Sequence, residues 1–299
     1  MTSETRCGFI SILGLPNAGK STLINQLVGA KISIVTHKPQ TTRFRILGIR
    51  NVADTQLVFI DTPGIFSPKK RLDHAMLASV WKAYDDTDLT LFMVDVQKGL
   101  SPFVLELIEK LVKKPKQLIV LLNKIDLVKK EVLLKMSQTL SEMGCETIFM
   151  ISAIAGSGLS ELLTYLENHS PFGPWHYPKD QQTDLNERIW AAEITRETLF
   201  LKLHEELPYG LTVETTSFER FDDGSLKIDQ TIYVERVSHR AIILGAKGTQ
   251  IKEIGMLSRK ELGLLFGCSV HLFLHVKVDE KWQEKRSYYQ ELGLDFPKN

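Results

Sequence analysis

Glycine, lysine and serine stand near the start of the chain in a spacing that suits phosphate binding. The run from Gly14 to Ser21 reads Gly-Leu-Pro-Asn-Ala-Gly-Lys-Ser, between an apolar stretch and a helical pattern. Glycines there let backbone N–H groups point inward around a phosphate, and the helix N-terminus adds positive potential. We expect Lys20 to reach the β and γ phosphates of a nucleotide and Ser21 to bind Mg²⁺. The alternative is a glycine-rich structural turn, but the position between a strand and a helix favours the phosphate loop.

Two acidic motifs follow later apolar runs. Asp61-Thr62-Pro63-Gly64 comes after the run at 57–60, where an acid in phosphate-loop enzymes holds the metal, usually through water. Asn123-Lys124-Ile125-Asp126 comes directly after the run at 118–122, and a carboxylate there can accept hydrogen bonds from guanine N1–H and the exocyclic amine. Adenine offers a different donor pattern, so the sequence predicts GTP rather than ATP. Ser152-Ala153 would offer a backbone N–H to guanine O6, although this dipeptide alone is nearly uninformative.

The elements that must position these residues alternate along the first part of the chain. Short apolar runs predict strands at 8–13, 44–49, 56–60, 89–94, 117–122 and 147–151. Helical patterns separate them near 20–29, 71–84, 102–113, 130–142 and 157–168. This alternation predicts an α/β domain with a mostly parallel sheet that has helices on both faces.

The alternation stops at a segment, 169–182, that contains three prolines and a glycine. We therefore assign residues 1–170 to the first domain, 171–183 to a linker and 184–299 to a second domain that ends in a C-terminal helix. The second domain should contain helices near 184–206, 249–266 and 282–291 and strands near 211–221, 226–237 and 268–278. The Asp222-Asp223-Gly224 turn suits a hairpin between the first two strands.

Composition limits the classes of protein that the chain resembles. Hydrophobic residues make up 43% and charged residues 24%, and the formal charge of +1 gives no overall signal for nucleic acid or membrane. The cysteines Cys7, Cys145 and Cys268 form no C-x-x-C pair, so we expect reduced thiols in a cytoplasmic protein. The start of the chain lacks a signal-peptide apolar region, and no apolar run approaches the roughly 18 residues of a membrane span. Contact with the inner face of the cell membrane is compatible with the sequence but unsupported by it.

Charge in the second domain is concentrated around a G-x-x-G turn. Gly245-Ala246-Lys247-Gly248 is bordered by apolar residues, and such a turn between helices places N–H groups against a nucleic-acid backbone. Between positions 236 and 260 one acid, Glu253, stands against six basic residues: Arg236, Arg240, Lys247, Lys252, Arg259 and Lys260. This composition suits phosphate contacts, and a solvated helix face is the alternative.

The ordered set of these motifs resembles the Ras-like GTPases. Within them, Pro16-Asn17, Gln40-Thr41-Thr42-Arg43 and the Asp61 motif followed by Ile65 resemble the bacterial Era GTPases, and the second domain resembles a KH domain of the prokaryotic type II. The resemblance implies that the segment 241–244 is helical, which periodicity cannot show. It also implies binding of the 3′ end of 16S ribosomal RNA and assistance in maturation of the small (30S) subunit, with release on GTP hydrolysis.

The resemblance carries roles onto individual residues of this chain. It implies nucleotide contacts at Asn17, Ala18, Gly19, Lys20, Ser21, Thr22, Gly64, Asn123, Lys124, Asp126, Ser152 and Ala153. It implies Mg²⁺ ligands at Ser21, Thr42 and Asp61, and switch residues at Gln40, Thr41, Thr42, Arg43 and Ile65. It implies RNA contacts at Gly245, Ala246, Lys247, Gly248, Lys252, Arg240 and Arg259. Ala246 departs from the family, which usually has a basic residue or glycine there, so one phosphate contact is weakened.

The residue after the Asp61 motif has a consequence for the rate of hydrolysis. Many GTPases place a glutamine there to orient the attacking water, but Ile65 cannot form a hydrogen bond. We therefore expect slow intrinsic hydrolysis. In related GTPases an asparagine at the position of Asn17 helps to bind K⁺, which would compensate; the alternative is that Asn17 is only a turn residue that tolerates an unusual backbone conformation.

Three functional hypotheses remain open at this stage. The first is an RNA-binding GTPase, expected to be a monomer, in which the segment 34–45 changes conformation with the nucleotide and sets exposure of the KH surface. The second is an RNA chaperone that the nucleotide only stabilises. The third is a GTPase that acts on a protein or membrane partner.

Overall fold

The computed structural model describes residues 5–297, which divide into two compact units. The first unit comprises residues 5–33, 42–184 and 292–297, and the second comprises residues 34–41 and 185–291. The short segment 34–41 therefore belongs to the second unit although the residues on both sides of it belong to the first. This assignment is important for the nucleotide site, because Thr42 directly follows that segment.

The first unit is built on a six-stranded sheet in the order β2-β3-β1-β4-β5-β6 within the described residues. Its strands are β1 (Arg6–Gly14), β2 (Ile46–Val52), β3 (Thr55–Asp61), β4 (Leu89–Asp95), β5 (Gln117–Asn123) and β6 (Thr147–Ile151). β2 pairs antiparallel with β3 and every other pair is parallel, which confirms the mostly parallel sheet. β3 and β4 are buried along their whole length, which explains why apolar residues dominate their sequences.

Helices connect the strands of this sheet. They are α1 (Lys20–Val28), α2 (Arg71–Asp85), α3 (Pro102–Val112), α4 (Lys130–Glu142) and α5 (Leu159–His169). Local chemistry sets where they begin; for α3, the Ser101 side chain accepts a hydrogen bond from Val104 N and Pro102 takes the first helical position. Because β1, β3, β4 and β5 run parallel, their carboxyl ends meet at one edge of the sheet, where α/β proteins bind ligands.

The second unit contains helices and a three-stranded sheet in the order β7-β8-β9 within the described residues. In chain order its elements are α6 (Glu187–Lys202), β7 (Leu211–Arg220), β8 (Leu226–Val234), α7 (Val237–Leu244), α8 (Thr249–Phe266), β9 (Val270–Val278) and α9 (Arg286–Glu291). β7 and β8 are antiparallel, whereas β8 and β9 are parallel. The expected α/β unit with a mostly parallel sheet is therefore present, and a second unit with its own helices and sheet follows it.

Several element boundaries follow from local hydrogen bonds. α6 begins at Glu187 because the Asn186 side chain accepts from Arg188 N at 2.8 Å. The predicted hairpin forms, and Phe221 N donates to Ser225 O at 2.9 Å across its turn. The C-terminal helix is shorter than predicted, because the 3₁₀ turn Trp282–Glu284 precedes α9. In the described part of the chain, no helix combines the length and the apolarity needed to cross a membrane.

Candidate functional site

The phosphate loop joins the end of β1 to the start of α1, as predicted. Gly19 caps α1 with φ = 103°, a left-handed conformation that side chains rarely adopt. A Cβ at this position would lie 2.4 Å from Asn123 Nδ2. Only glycine therefore allows the loop to approach the Asn123 motif so closely, while Thr22, half-buried, lies in the first turn of α1.

Lys20 is 6% exposed and lies inside the loop that precedes it. Its Nζ donates to Gly14 O at 3.2 Å and to Leu15 O at 3.1 Å. Burial lowers the pKa of Lys20 to about 8, and the charge of Asp61 partly offsets this effect. Anionic phosphates beside the ammonium would favour its charged form, so this side chain is suited to a triphosphate.

Three hydroxyl groups converge on the buried carboxylate of Asp61. Ser33 Oγ donates to Asp61 Oδ2 at 2.7 Å and Ser21 Oγ donates to the same oxygen at 2.8 Å. Thr42 Oγ1 lies 3.4 Å from that oxygen and 2.9 Å from Ser21 Oγ. The structure thus brings together the three residues predicted to hold Mg²⁺, Ser21, Thr42 and Asp61, and adds Ser33.

The second carboxylate oxygen of Asp61 provides a test of whether a metal fits. Oδ1 is buried and has no hydrogen-bond partner among the described residues. Burial raises the pKa of Asp61, while the charge of Lys20 and the three hydroxyl groups act in the opposite direction. A buried carboxylate oxygen without a partner is costly, and a hydrated cation would satisfy it. This donor set, a carboxylate with two hydroxyl groups beside it, fits Mg²⁺.

Ser33 belongs to no motif, and no sequence pattern indicates its role. Asn25 on α1 fixes its backbone: Asn25 Oδ1 accepts from Ser33 N at 2.9 Å and from Ile32 N at 3.0 Å. Asn25 Nδ2 donates to Ser33 O at 2.7 Å. Both groups of one amide therefore hold the Ser33 hydroxyl against Asp61.

The Asn123 motif lies at the end of β5, beside the phosphate loop. Asn123 is 2% exposed; its Nδ2 donates to Ala18 O at 2.8 Å and its Oδ1 accepts from Ala153 N at 2.9 Å. This amide ties the phosphate loop to the Ser152-Ala153 turn, and it already engages the N–H that was expected to meet guanine O6. Asp126 is exposed in the 3₁₀ turn that follows, where its carboxylate is accessible to a base.

Lys124 connects the base-binding motif to two other parts of the site. It has φ = 71°, and its Nζ donates to Asn17 O at 3.0 Å and to Asp95 Oδ2 at 2.6 Å. Asp95, at the end of β4, is 8% exposed. Sequence reasoning did not identify Asp95, although its place at the carboxyl end of a central strand, as for Asp61 and Asn123, could have indicated it.

Asn17 and Ile65 bear on how water is positioned for hydrolysis. Asn17 has φ = 64°, so the turn interpretation of this residue fits its backbone, while the predicted K⁺ role concerns its side chain and stays a prediction. Ile65 is 2% exposed, its N donates to Gly14 O at 3.0 Å, and its side chain belongs to the apolar core with Leu13 and Val80. Ile65 therefore cannot orient an attacking water.

The remaining predicted switch and loop residues fall in both units. Gln40 (φ = 58°) and Thr41 belong to the second unit, whereas Thr42 and the 2%-exposed Arg43 belong to the first. Gly64 lies against the phosphate loop, since a Cβ there would be 2.7 Å from Pro16 N.

The G-x-x-G turn lies between α7 and α8. Gly245, Lys247 and Gly248 have positive φ angles of 70°, 52° and 77°, and a Cβ on Gly245 would lie 2.9 Å from Gln250 N. The turn leaves several predicted RNA contacts exposed: Ala246, Lys247, Arg240, Lys252 and Arg259. Glu253, the acid in this stretch, pairs with Lys202 at 2.5 Å, which reduces its opposition to a phosphate backbone.

Comparisons with known proteins match both units. Residues 9–124 match the family described as 50S ribosome-binding GTPase, and residues 206–283 match the KH domain family. GTPase Era of Mesorhizobium japonicum is 49% identical over 297 residues, which cover 99% of this chain and 96% of that protein. GTPase Era of Agrobacterium fabrum is 50% identical over 295 residues, 98% of this chain and 93% of that protein.

A solved structure is similar to this one over nearly its whole length. It is a crystal structure of Era in complex with MgGDPNP and nucleotides 1506-1542 of 16S ribosomal RNA. The TM-score is 0.92 at 36% sequence identity, over 97% of this chain and 99% of that chain. The likeness extends across both the nucleotide-binding fold and the KH fold.

Proposed function

This chain belongs to the GTPase Era family, and we propose that it binds and hydrolyses GTP with Mg²⁺ and binds the 3′ end of 16S ribosomal RNA to assist maturation of the 30S subunit. One observation carries the enzymatic part: the phosphate-loop residues Lys20 and Ser21 lie against the buried Asp61, whose Oδ1 has no partner among the described residues. The bound MgGDPNP and RNA of the similar Era structure support the same assignment.

The residues of the site divide the work of hydrolysis among them. Ser21 and Thr42 would bind Mg²⁺ through their hydroxyl groups, and Asp61 would hold it through water. The metal, when bound, neutralises charge that develops on the β and γ phosphate oxygens. Lys20 supplies a buried positive charge beside the same oxygens, and the glycines of the loop let N–H groups point at them.

Guanine selection rests on Asp126 and on the rigid turn that carries it. The carboxylate accepts the N1–H and the exocyclic amine, while Asn123 and Lys124 fix the turn against the phosphate loop. Adenine would leave the carboxylate without donors, which disfavours ATP.

Slow hydrolysis is the expected result of burying Ile65 at the position where other GTPases have glutamine. We assign K⁺ binding to Asn17 as the means of compensation.

The RNA-binding role rests on the G-x-x-G turn and its basic surroundings. Exposed N–H groups at the start of α8 and the side chains of Lys247, Arg240, Lys252 and Arg259 suit the phosphates of a single-stranded segment, leaving bases accessible for reading. Residues 1–170, 171–183 and 184–299 serve in this scheme as GTPase domain, linker and KH domain.

Competition binding tests the nucleotide assignment. The purified protein should retain labelled GTP in the presence of excess ATP and release it in the presence of excess GTP. Equal competition by ATP would overturn the assignment. Lys20→Ala should lose GTP, while Gly248→Asp, a matched change in the RNA turn, should keep it.

RNA binding and cellular role need separate measurements. RNA with the sequence of the 3′ end of 16S ribosomal RNA should bind in a salt-dependent manner, and a scrambled RNA should bind more weakly; Gly248→Asp should abolish the difference. The protein should sediment with 30S rather than 50S particles. Normal 30S maturation by an Asp61→Asn variant would favour the nucleotide-stabilised chaperone instead.

We also propose that the protein acts as a monomer in the cytoplasm. Sedimentation of the purified protein tests the first point. Flotation with anionic lipid vesicles tests peripheral contact with the inner membrane, and salt-resistant flotation without RNA binding would favour the hypothesis of a membrane partner.

A further inference from the structure

Helix α6 of the KH unit buries charge in its middle. Every residue from 191 to 200 is buried, and among them are Glu193, Arg196 and Glu197. Buried charges are expensive unless they are paired and hydrogen-bonded, and apolar residues of similar volume are often as stable. The partners of these three side chains therefore indicate what the charges do.

Arg196, 1% exposed, joins α6 to the segment 34–41. Its Nε donates to Glu193 Oε1 at 2.7 Å, and its Nη2 donates both to Glu193 Oε2 at 2.5 Å and to the carbonyl oxygen of Thr41. Within residues 5–297, Nη1 is buried and has no acceptor. Glu193 therefore orients the Arg196 guanidinium, which also donates to the backbone carbonyl of Thr41.

Three further contacts hold the same segment on α6. Glu197 Oε1 accepts from Val35 N at 2.8 Å. Lys38 Nζ donates to the carbonyl oxygens of Phe200 and Leu203 at the C-terminal end of the helix, where a positive charge is favoured. Ile34 packs in the apolar cluster that contains Ala191 and Ile194. The segment is therefore held at its start, middle and end by one helix.

The contact between Arg196 and the Thr41 carbonyl lies one peptide bond from Thr42, a residue of the nucleotide site. We propose that Arg196 is a positioning residue for GTP hydrolysis, which fixes the Thr41 carbonyl and so orients the peptide that presents Thr42 to Asp61. The inference rests on the proposed function, in which Thr42 binds Mg²⁺ in the GTP state. A departure of Thr42 from the site that turns the peptide it shares with Thr41 would strain or break the bond to Arg196.

The chemistry of arginine fits this role better than that of other residues. Its planar fork binds the Glu193 carboxylate and the Thr41 carbonyl together in one fixed geometry, whereas the flexible ammonium of a lysine would not fix the direction of either bond. Since linkage is reciprocal, a KH unit that holds Thr41 favours the GTP state, and GTP favours that arrangement of α6.

The test replaces Glu193 and Arg196 together so that neither member of the pair is left buried without the other. The double variant Glu193→Leu/Arg196→Met removes the ion pair and the bond to Thr41 while it keeps the buried volume. Arg188→Met is the matched control, because Arg188 lies on the same helix but donates to the carbonyl oxygens of Thr215 and Thr216. Single-turnover GTP hydrolysis, affinities for GDPNP and GDP, and thermal unfolding are measured on the full chain.

We expect the double variant to lose about fivefold or more in hydrolysis rate and in GDPNP affinity, while GDP affinity changes by less than about twofold. Its preference for RNA in the GDPNP state over the GDP state should shrink by a similar factor. The control should match wild type in all of these. Equal losses of GDPNP and GDP affinity would mean a structural role and overturn the proposal, as would unchanged hydrolysis.

If the double variant does not fold, a second variant tests the proposal instead. Arg196→Lys keeps the charge pair with Glu193 and should show the same selective loss in smaller measure; wild-type behaviour would refute the positioning role. Failure of the proposed function would look different, because the wild-type protein itself would then show no GTP hydrolysis or no preference for GTP over ATP.

Discussion

Replacing Ser33 with alanine removes one of three hydroxyl groups that donate to Asp61 and leaves every sequence motif intact. Ser33 is 1% exposed, Asp61 is fully buried, and their oxygens are 2.7 Å apart. If Ser21 and Thr42 bind Mg²⁺ as proposed, Ser33 would be the one hydroxyl of the three that still donates to the carboxylate. The Ser33→Ala variant therefore destabilises the ionised form of Asp61, which is the form that hydrolysis needs.

The expected size of the effect follows from the hydrogen bond between Ser33 and Asp61. A hydrogen bond to a charged group contributes about 1.5–3 kcal/mol, and it is not diluted by solvent here because both partners are buried. Because the lost hydrogen bond stabilises the ionised carboxylate, the pKa of Asp61 should be higher in the variant than in the wild-type protein.

The sign of the pH effect follows from the same reasoning. Burial already raises the pKa of Asp61, and the bond from Ser33 works against that rise. Protons compete with Mg²⁺ for the carboxylate, so activity falls as the pH drops through this pKa. In Ser33→Ala the fall should begin at a higher pH, and more Mg²⁺ should be needed at any fixed pH near it.

The assay is the Mg²⁺ concentration for half-maximal GTP hydrolysis across a pH series. Ser11→Ala is the control, because it also removes a buried hydroxyl, one that lies 3.2 Å from Thr90 Oγ1 and 3.0 Å from Thr87 Oγ1. The reasoning would be refuted if GTP hydrolysis by wild type and by Ser33→Ala fell over the same range of low pH and needed the same Mg²⁺ concentration.

Three other changes test separate parts of the site. Gly19→Ala should abolish retention of GTP and GDP in a filter-binding assay, because its Cβ would lie 2.4 Å from Asn123 Nδ2 and φ = 103° adds roughly 1–2 kcal/mol of backbone strain; full retention would contradict the close approach. K⁺ should accelerate steady-state hydrolysis several-fold over Na⁺, and Asn17→Ala should remove most of that difference; equal rates in the two salts for wild type would exclude the K⁺ role. Lys247→Ala should weaken RNA binding at every salt concentration and lower the slope of log affinity against log salt by about one, with GTP retention unchanged; an unaltered slope would place this lysine away from phosphate.

The order and spacing of residues along the chain were sufficient for the fold and for most of the nucleotide site. Apolar runs alternating with helical patterns predict a parallel sheet, and parallel strands bring Lys20, Asp61 and Asn123 to one edge. Because each motif is continuous in sequence and directly follows a strand, its place could be read without side-chain packing. The G-x-x-G turn is also continuous in sequence, and it could be identified in the same way although it lies between two helices.

The contacts that refine the site could not be predicted in this way. Ser33 reaches Asp61 because Asn25 holds its loop, and Asp95 fixes Lys124 although 29 residues separate them. Arg196 is 155 residues from the Thr41 carbonyl that it holds. Such pairs are set by how the chain packs, and a serine, an aspartate or an arginine outside a motif has no local pattern that distinguishes it. The sequence alone determined which chemistry the protein carries, and the tertiary structure decided which additional residues hold it in place.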